Sequence, residues 1–167
     1  MLEFLGNWER TAYCGQFNKA HLGQEVVAVG WVQKHRDLGN LRFVDLRDRS
    51  GILQIEFDTQ KDEALHQKAK LLKNEYVIAV RGKIIERPPE AVNVHMATGE
   101  VELEAVELRI LNEAEVPPFV VGDDKVSEEV RLRYRYLDLR HKRMQKNVLI
   151  RHKAMAATRN FLNQRDF

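Results

Sequence analysis

Five short apolar stretches bounded by turn residues, interrupted once by a helical segment, most constrain what this chain can fold into. Strands are expected at residues 25–34, 41–47, 52–58, 76–87 and 101–111, where apolar, β-branched and aromatic residues run between turn formers. Asp37 and Gly39 mark the first join as a hairpin turn, and Ser50 with Gly51 mark the second. The third join differs. Its sequence KDEALHQKAKLLKN puts Leu65, Ala69 and Leu72 on one helical face, with Thr59 three residues before Asp62 as a capping box.

Three antiparallel strands, a helix and two further strands is the order of a mainly β, five-stranded Greek-key barrel of the OB type, with an open sheet carrying one helix as the alternative. Gly30 in the first strand and Gly82 in the fourth supply the bends that closure requires. The pattern breaks after Asn112 at EAEVPPFVVGDD, where Pro117 and Pro118 forbid regular helix. The expected organisation is a barrel domain over 1–112, a hinge over 113–126 and a helical region over 127–167. Ser127 is the expected N-cap of the first helix, with Glu128 and Glu129 favoured by the macrodipole in its first turn. A second helix is expected from about Lys142 to Asn163, where Val148, Met155, Thr158, Phe161 and Leu162 recur at near-helical spacing. Ending at Phe167 without a packing partner, it is the reason to expect that the natural protein continues.

Side chains alternate between the faces of a strand, so parity sorts the second and third strands. Val44 and Leu46 belong to one face, and Phe43 to the other with Asp45 and Arg47; Leu53, Ile55 and Phe57 make a core face and leave Gln54 outside. Phe43 beside Gln54, on the strands that an OB barrel uses for ligands, is a base-stacking ring next to a hydrogen-bonding amide. Lys34, His35 and Arg36 in the first loop and Arg87 at the end of the fourth strand add cations for phosphates or base edges. Equally, Phe43 capping the barrel, Gln54 merely solvated and charged loops merely hydrated would account for the same residues.

Net charge excludes little: it is +2 overall, with 15 Lys and Arg against 19 Asp and Glu over residues 1–115, and 12 against 6 over 116–167. Binding of a polyanion by the barrel must therefore come from a local cluster. No apolar run approaches the roughly 20 residues needed to span a bilayer, and the start MLEFLGNWER has no basic n-region, so a cytosolic protein without a membrane is expected. A lone Cys14 excludes an internal disulfide and is expected to be a small buried side chain. Six scattered histidines give no metal site.

The run GWVQKHRDLGNLRFVDLRDRSGILQIEF, Gly30 to Phe57, resembles the anticodon-binding domain of class IIb aminoacyl-tRNA synthetases, which charge tRNA with Asp, Asn or Lys. That segment alone leaves the three open. The bacterial aspartyl enzymes are favoured by TAYCG at 11–15, NVHMATGEVEL at 93–103, and RLRYRYLDLR at 131–140 followed by Met144, Asn147 and Arg151. Residues Met1 to Glu9, Trp8 included, fall outside the pattern as an extension, and the segment to His21 and Leu22 leads into the barrel.

The resemblance implies roles residue by residue. Phe43 matches the aromatic that stacks on the central anticodon uridine, and Gln54 and Arg36 match residues touching that base. Arg87, Asn93 and Glu102 match positions around the flanking bases, Glu102 with the first-position purine; Ala91 stands where some relatives carry Asn. Residues from about Arg143 to Gln164 resemble the motif 1 helix of the dimer interface, just before the strand that Asp166 and Phe167 approach. The implied parent is a homodimeric ligase that activates aspartate with ATP and Mg²⁺ and esterifies tRNA(Asp), or tRNA(Asn) as well. Its ATP and aspartate motifs lie beyond this chain, so no catalytic residue and no cofactor is expected within it. A free-standing OB module that binds single-stranded nucleic acid, and an interaction protein using the basic helix Arg131 to Arg159, are the competing functions.

Overall fold

The computed structural model describes residues 2–166; Met1, in the expected extension, and Phe167, in the expected approach to the strand after the motif 1 helix, lie outside the described residues. The chain divides into two compact units, residues 1–116 and 117–167.

The first unit is a closed barrel of strands β1 (Glu25–Asp37), β2 (Leu41–Arg47), β3 (Ile52–Asp58), β4 (Val77–Glu86) and β5 (Val101–Asn112), in the order β1-β2-β3-β5-β4. Closure depends on β1, which pairs with β4 over its first half and with β2 over its second. The switch falls at Trp31, which pairs with both neighbours, and just before it an added Cβ on Gly30 would lie 2.4 Å from the Arg47 carbonyl oxygen. Parity is obeyed on β2 and β3: Val44, Leu46, Leu53, Ile55 and Phe57 are buried and meet Val26, Val32, Ile78, Ile84 and Leu103 inside. Helix α1 (Glu63–Ala69) adds Leu65 and Ala69 to the core, and Leu72 follows from the turn beyond.

Three expectations for this unit need correction. Helix α1 is capped by Asp62, whose side chain accepts from Leu65 N at 2.9 Å, and not by Thr59. Asp58 explains the shift, because its carboxylate accepts from Gln60 N at 2.8 Å and ties residues 58–61 into a turn of their own. The segment after Lys34 is strand, not loop, as far as Asp37. It contains a bulge: Val32 faces Leu46 but Lys34 faces Asp45, leaving Gln33 as the extra residue. Finally, residues 2–8, expected as an extension outside the pattern, pack on the barrel. Trp8 packs on Val29 and Ala79 outside the barrel with Arg109 stacked 3.8 Å from its ring centroid, and Glu3 accepts from Ile110 N at 2.9 Å. Cys14 is fully buried, its N–H donating to Asp48 Oδ2 at 2.7 Å.

The second unit holds α2 (Glu128–Arg133), α3 (Arg135–Asp138) and α4 (Lys142–Asn163). The helical region expected over 127–140 is two short helices parted at Tyr134, whose φ of −110° and ψ of 47° are not helical. Buried Asp138 accepts from Arg135 Nη1 at 2.6 Å and fixes the second piece. Ser127 holds the N-cap position, but its hydroxyl makes no capping bond. Helix α4 buries none of its residues within this chain, and Val148, Leu149, Phe161 and Leu162 stand exposed.

Candidate nucleic-acid interface

The Gln33 bulge decides which side chains share the outer face. Without it Arg36 would have the inward parity of Val32; with it Arg36 stands opposite Phe43, and His35 opposite core-facing Val44. Arg36 Nη2 donates to Asp45 Oδ1 at 2.9 Å and to Gln54 Oε1 at 2.7 Å, with its guanidinium carbon 5.9 Å from the half-buried Phe43 ring. Gln54 Nε2 then donates to Glu102 Oε2 at 2.7 Å. Beyond Glu102 lies Arg87, its Nε donating to Val101 O at 3.1 Å and standing 3.7 Å from the Glu102 carboxylate. One continuous chain thus runs from Phe43 through Arg36, Gln54 and Glu102 to Arg87.

Depth was not visible in parity. Gln54 and Glu102 keep only 8% and 3% of their surface exposed, although both belong to the outward side. Burial pushes the Glu102 carboxyl above its ordinary range, with the Glu56 charge adding to that, against the Gln54 hydrogen bond and the attraction of Arg87 and Lys61. Burial also lowers the Arg87 guanidinium, and its Nη2 is buried without a hydrogen-bond partner among the described residues. A buried donor left unpaired costs about 1–3 kcal/mol. It is a ready donor for a base edge or ordered water.

The remaining expected residues fall differently. Lys34 is exposed opposite Asp45. His35 instead turns inward to buried Arg42, ring Nε2 to Nη1 at 3.1 Å, while Arg42 Nη2 donates to Asp37 Oδ2 at 2.6 Å. Asn93 is exposed in the loop after β4, where its Oδ1 accepts from His95 N at 3.1 Å; no hydrogen bond joins it to the Arg36–Glu102 chain. That loop is pinned to β3 by Thr98 Oγ1 donating to Ile52 O at 2.6 Å, and Ala91 lies exposed at its start. Two participants escaped the sequence reading. Asp45 anchors Arg36, and Lys61 reaches Glu104 and, at 3.5 Å, Glu56. Parity put Asp45 on this face without a role; no spacing signal marked Lys61.

A half-buried ring flanked by oriented hydrogen-bonding groups is the chemistry of base recognition. Residues 26–111 match the family model described as an OB-fold nucleic acid binding domain. The chain belongs to that family. Following the OB-fold domain, residues 127–167 match a second model, tRNA synthetases class II (D, K and N). Two curated relatives, the aspartate–tRNA(Asp/Asn) ligases of Syntrophotalea carbinolica and Desulfosudis oleivorans, are 50% and 51% identical over 168 positions that cover 100% of this chain. These alignments include the residues before Glu9, in keeping with the packing of Trp8 on the OB-fold domain. The chain spans 28% of the length of both relatives. Among solved structures, a putative aspartyl-tRNA synthetase from Leishmania major superposes with a TM-score of 0.84 at 18% identity, over 100% of this chain and 36% of that one. Among the described residues no helix is long and apolar enough to cross a membrane.

Proposed function

We propose that the OB-fold domain reads the anticodon for an aspartate–tRNA ligase, with Phe43 stacking on the central base, Arg36 and Gln54 contacting that base, and Arg87, Asn93 and Glu102 serving the flanking bases. The observation that carries this reading is the fixed orientation of Gln54. Its Oε1 is held by Arg36 and its Nε2 by Glu102, so donors and acceptors around Phe43 have defined positions before any ligand arrives. The cations here are also paired, Arg36 with Asp45 and Arg87 with Glu102. A site for unselective phosphate binding would favour unpaired positive charge, whereas balanced, oriented groups favour base edges. Lys34, exposed beside the face, is the candidate for an added phosphate contact.

The whole protein would activate aspartate with ATP and Mg²⁺ and transfer it to tRNA(Asp), or to tRNA(Asn) as well, as a cytoplasmic homodimer joined partly through residues 142–163. In this division of labour residues 1–112 supply recognition and 113–126 the hinge. The test is binding of an RNA stem-loop carrying the anticodon GUC against one with an altered middle base. Discrimination on the order of 1–3 kcal/mol is expected from a well-made set of base contacts. Equal binding of both loops returns the domain to a single-strand binder without sequence preference.

A further inference from the structure

Of the eight arginines in residues 1–116, six have a carboxylate partner at 3.7 Å or closer: Arg36, Arg42, Arg47, Arg81, Arg87 and Arg109. The other two, Arg10 and Arg49, converge on one aromatic ring. Each guanidinium carbon stands 4.9 Å from the centroid of Tyr13. The two like charges are therefore about 10 Å apart at most, comparable with the Debye length of about 10 Å at 0.1 M salt. Neither acid adjacent in sequence forms an ion pair with them among the described residues: Asp48, before Arg49, accepts from Cys14 N, Ser50 N, Ser50 Oγ and Gly51 N, and Glu9, before Arg10, is exposed. In a unit whose acids outnumber its bases, this is a concentrated positive spot whose two arginines have no ion-pair partner among the described residues. An arriving anion would relieve the repulsion: Arg10 spends one Nη2 N–H on Val29 O at 3.3 Å, and the remaining N–H groups of the two planar guanidiniums over the ring can meet phosphate oxygens.

Its place in the fold selects the anion. Arg49 lies in the turn just past the end of β2, the strand that carries Phe43, and Phe43 to Arg47 spans about 13 Å at roughly 3.3 Å per residue. We infer that Arg10, Tyr13 and Arg49 form a second RNA-contact station, taking a backbone phosphodiester of the stem whose loop is held at Phe43. The inference rests on the reading of the loop as ligand under Proposed function. Division of labour follows: the balanced face around Gln54 selects sequence, and this unbalanced spot adds affinity without selecting.

Affinity of the whole 167-residue chain is measured against salt for two probes, the anticodon stem-loop and a seven-nucleotide single strand of the loop sequence alone. Arg49→Ala is expected to reduce the salt slope for the stem-loop by about 1, weaken every stem-loop equally whatever its loop sequence, and leave the single strand unaffected. Arg49→Lys keeps the charge and is expected to keep the slope. An unchanged slope in Arg49→Ala overturns the inference, as does equal loss on both probes, or a loss with Arg49→Lys as large as with Arg49→Ala. Failure of the anticodon reading is separate: the wild-type chain would then fail to discriminate the middle base, while Arg49→Ala still lowered the stem-loop slope.

Discussion

Gln54 donates to Glu102 through Nε2 at 2.7 Å while accepting from Arg36 through Oε1 at 2.7 Å, so a single amide ties β3 to both β5 and β1. Its removal strands a buried carboxylate. Gln54→Ala is expected to destabilise the barrel by about 1–3 kcal/mol, the cost of leaving a buried polar group unsatisfied. Gln54→Glu is expected to do worse, because it faces Glu102 with a second negative charge in the same dry setting. Urea unfolding curves give both values. A Gln54→Ala variant with wild-type stability would mean that water takes over both hydrogen bonds.

Glu102 makes the stability of the barrel depend on pH in a definite direction. Burial raises its folded-state carboxyl above the ordinary 4.5, so the folded chain holds this proton to higher pH than the unfolded chain does. Stability from this group is therefore lost as pH rises from about 4.5 through the folded-state value. Glu102→Gln does not titrate. The melting temperature of the variant minus that of the wild type is expected to become more positive between acid and neutral pH, whatever its offset from leaving Arg87 without a counter-charge. A difference that is flat, or that falls with rising pH, contradicts a raised carboxyl at this position.

The alternation of β2 and β3 was legible because period 2 is a property of the extended backbone itself, and Val44, Leu46, Leu53, Ile55 and Phe57 are all buried as that period requires. What it does not carry is depth. Gln54 and Glu102 occupy the outer parity yet are buried, because the long side chains of neighbouring strands lie over them. Nor does it carry an insertion. Nothing in the run WVQKHRD marks Gln33 as the bulge residue, yet that residue turns His35 inward and Arg36 outward. The competition between Thr59 and Asp62 for the start of α1 had the same character. Both are good caps, and the turn held by Asp58 decided it.

Phe43 is half-buried at the start of the Arg36–Glu102 chain, and the Arg36 guanidinium carbon is 5.9 Å from its centroid, near the outer limit of a cation–π contact. Phe43→Ala is expected to weaken stem-loop binding by roughly 1–3 kcal/mol, the range for loss of a base–aromatic stack. Phe43→Tyr should retain most of the affinity, since the stacking surface survives. Titrations with the GUC stem-loop measure both. Full affinity in a folded Phe43→Ala chain would leave the ring a cap on the barrel and remove it from the reading face.

Trp8 separates stability from recognition, because it sits against β1 and β4 on Val29 and Ala79, outside the chain of contacts that runs from Phe43 to Arg87. Only 8% of its surface is exposed, and Arg109 closes over its ring at 3.8 Å. Trp8→Ala is expected to cost about 3 kcal/mol, the lower part of the range for removing a large buried aromatic, since Trp8 packs on the outside of the barrel and not in its core. Trp8→Phe should recover part of that. Discrimination of the middle anticodon base should be unchanged in both variants once measured under conditions where the chain is folded. Loss of that discrimination with the barrel still folded would mean that the β1–β4 face is coupled to Arg36 through β1, which the separate clusters of hydrogen bonds do not provide for.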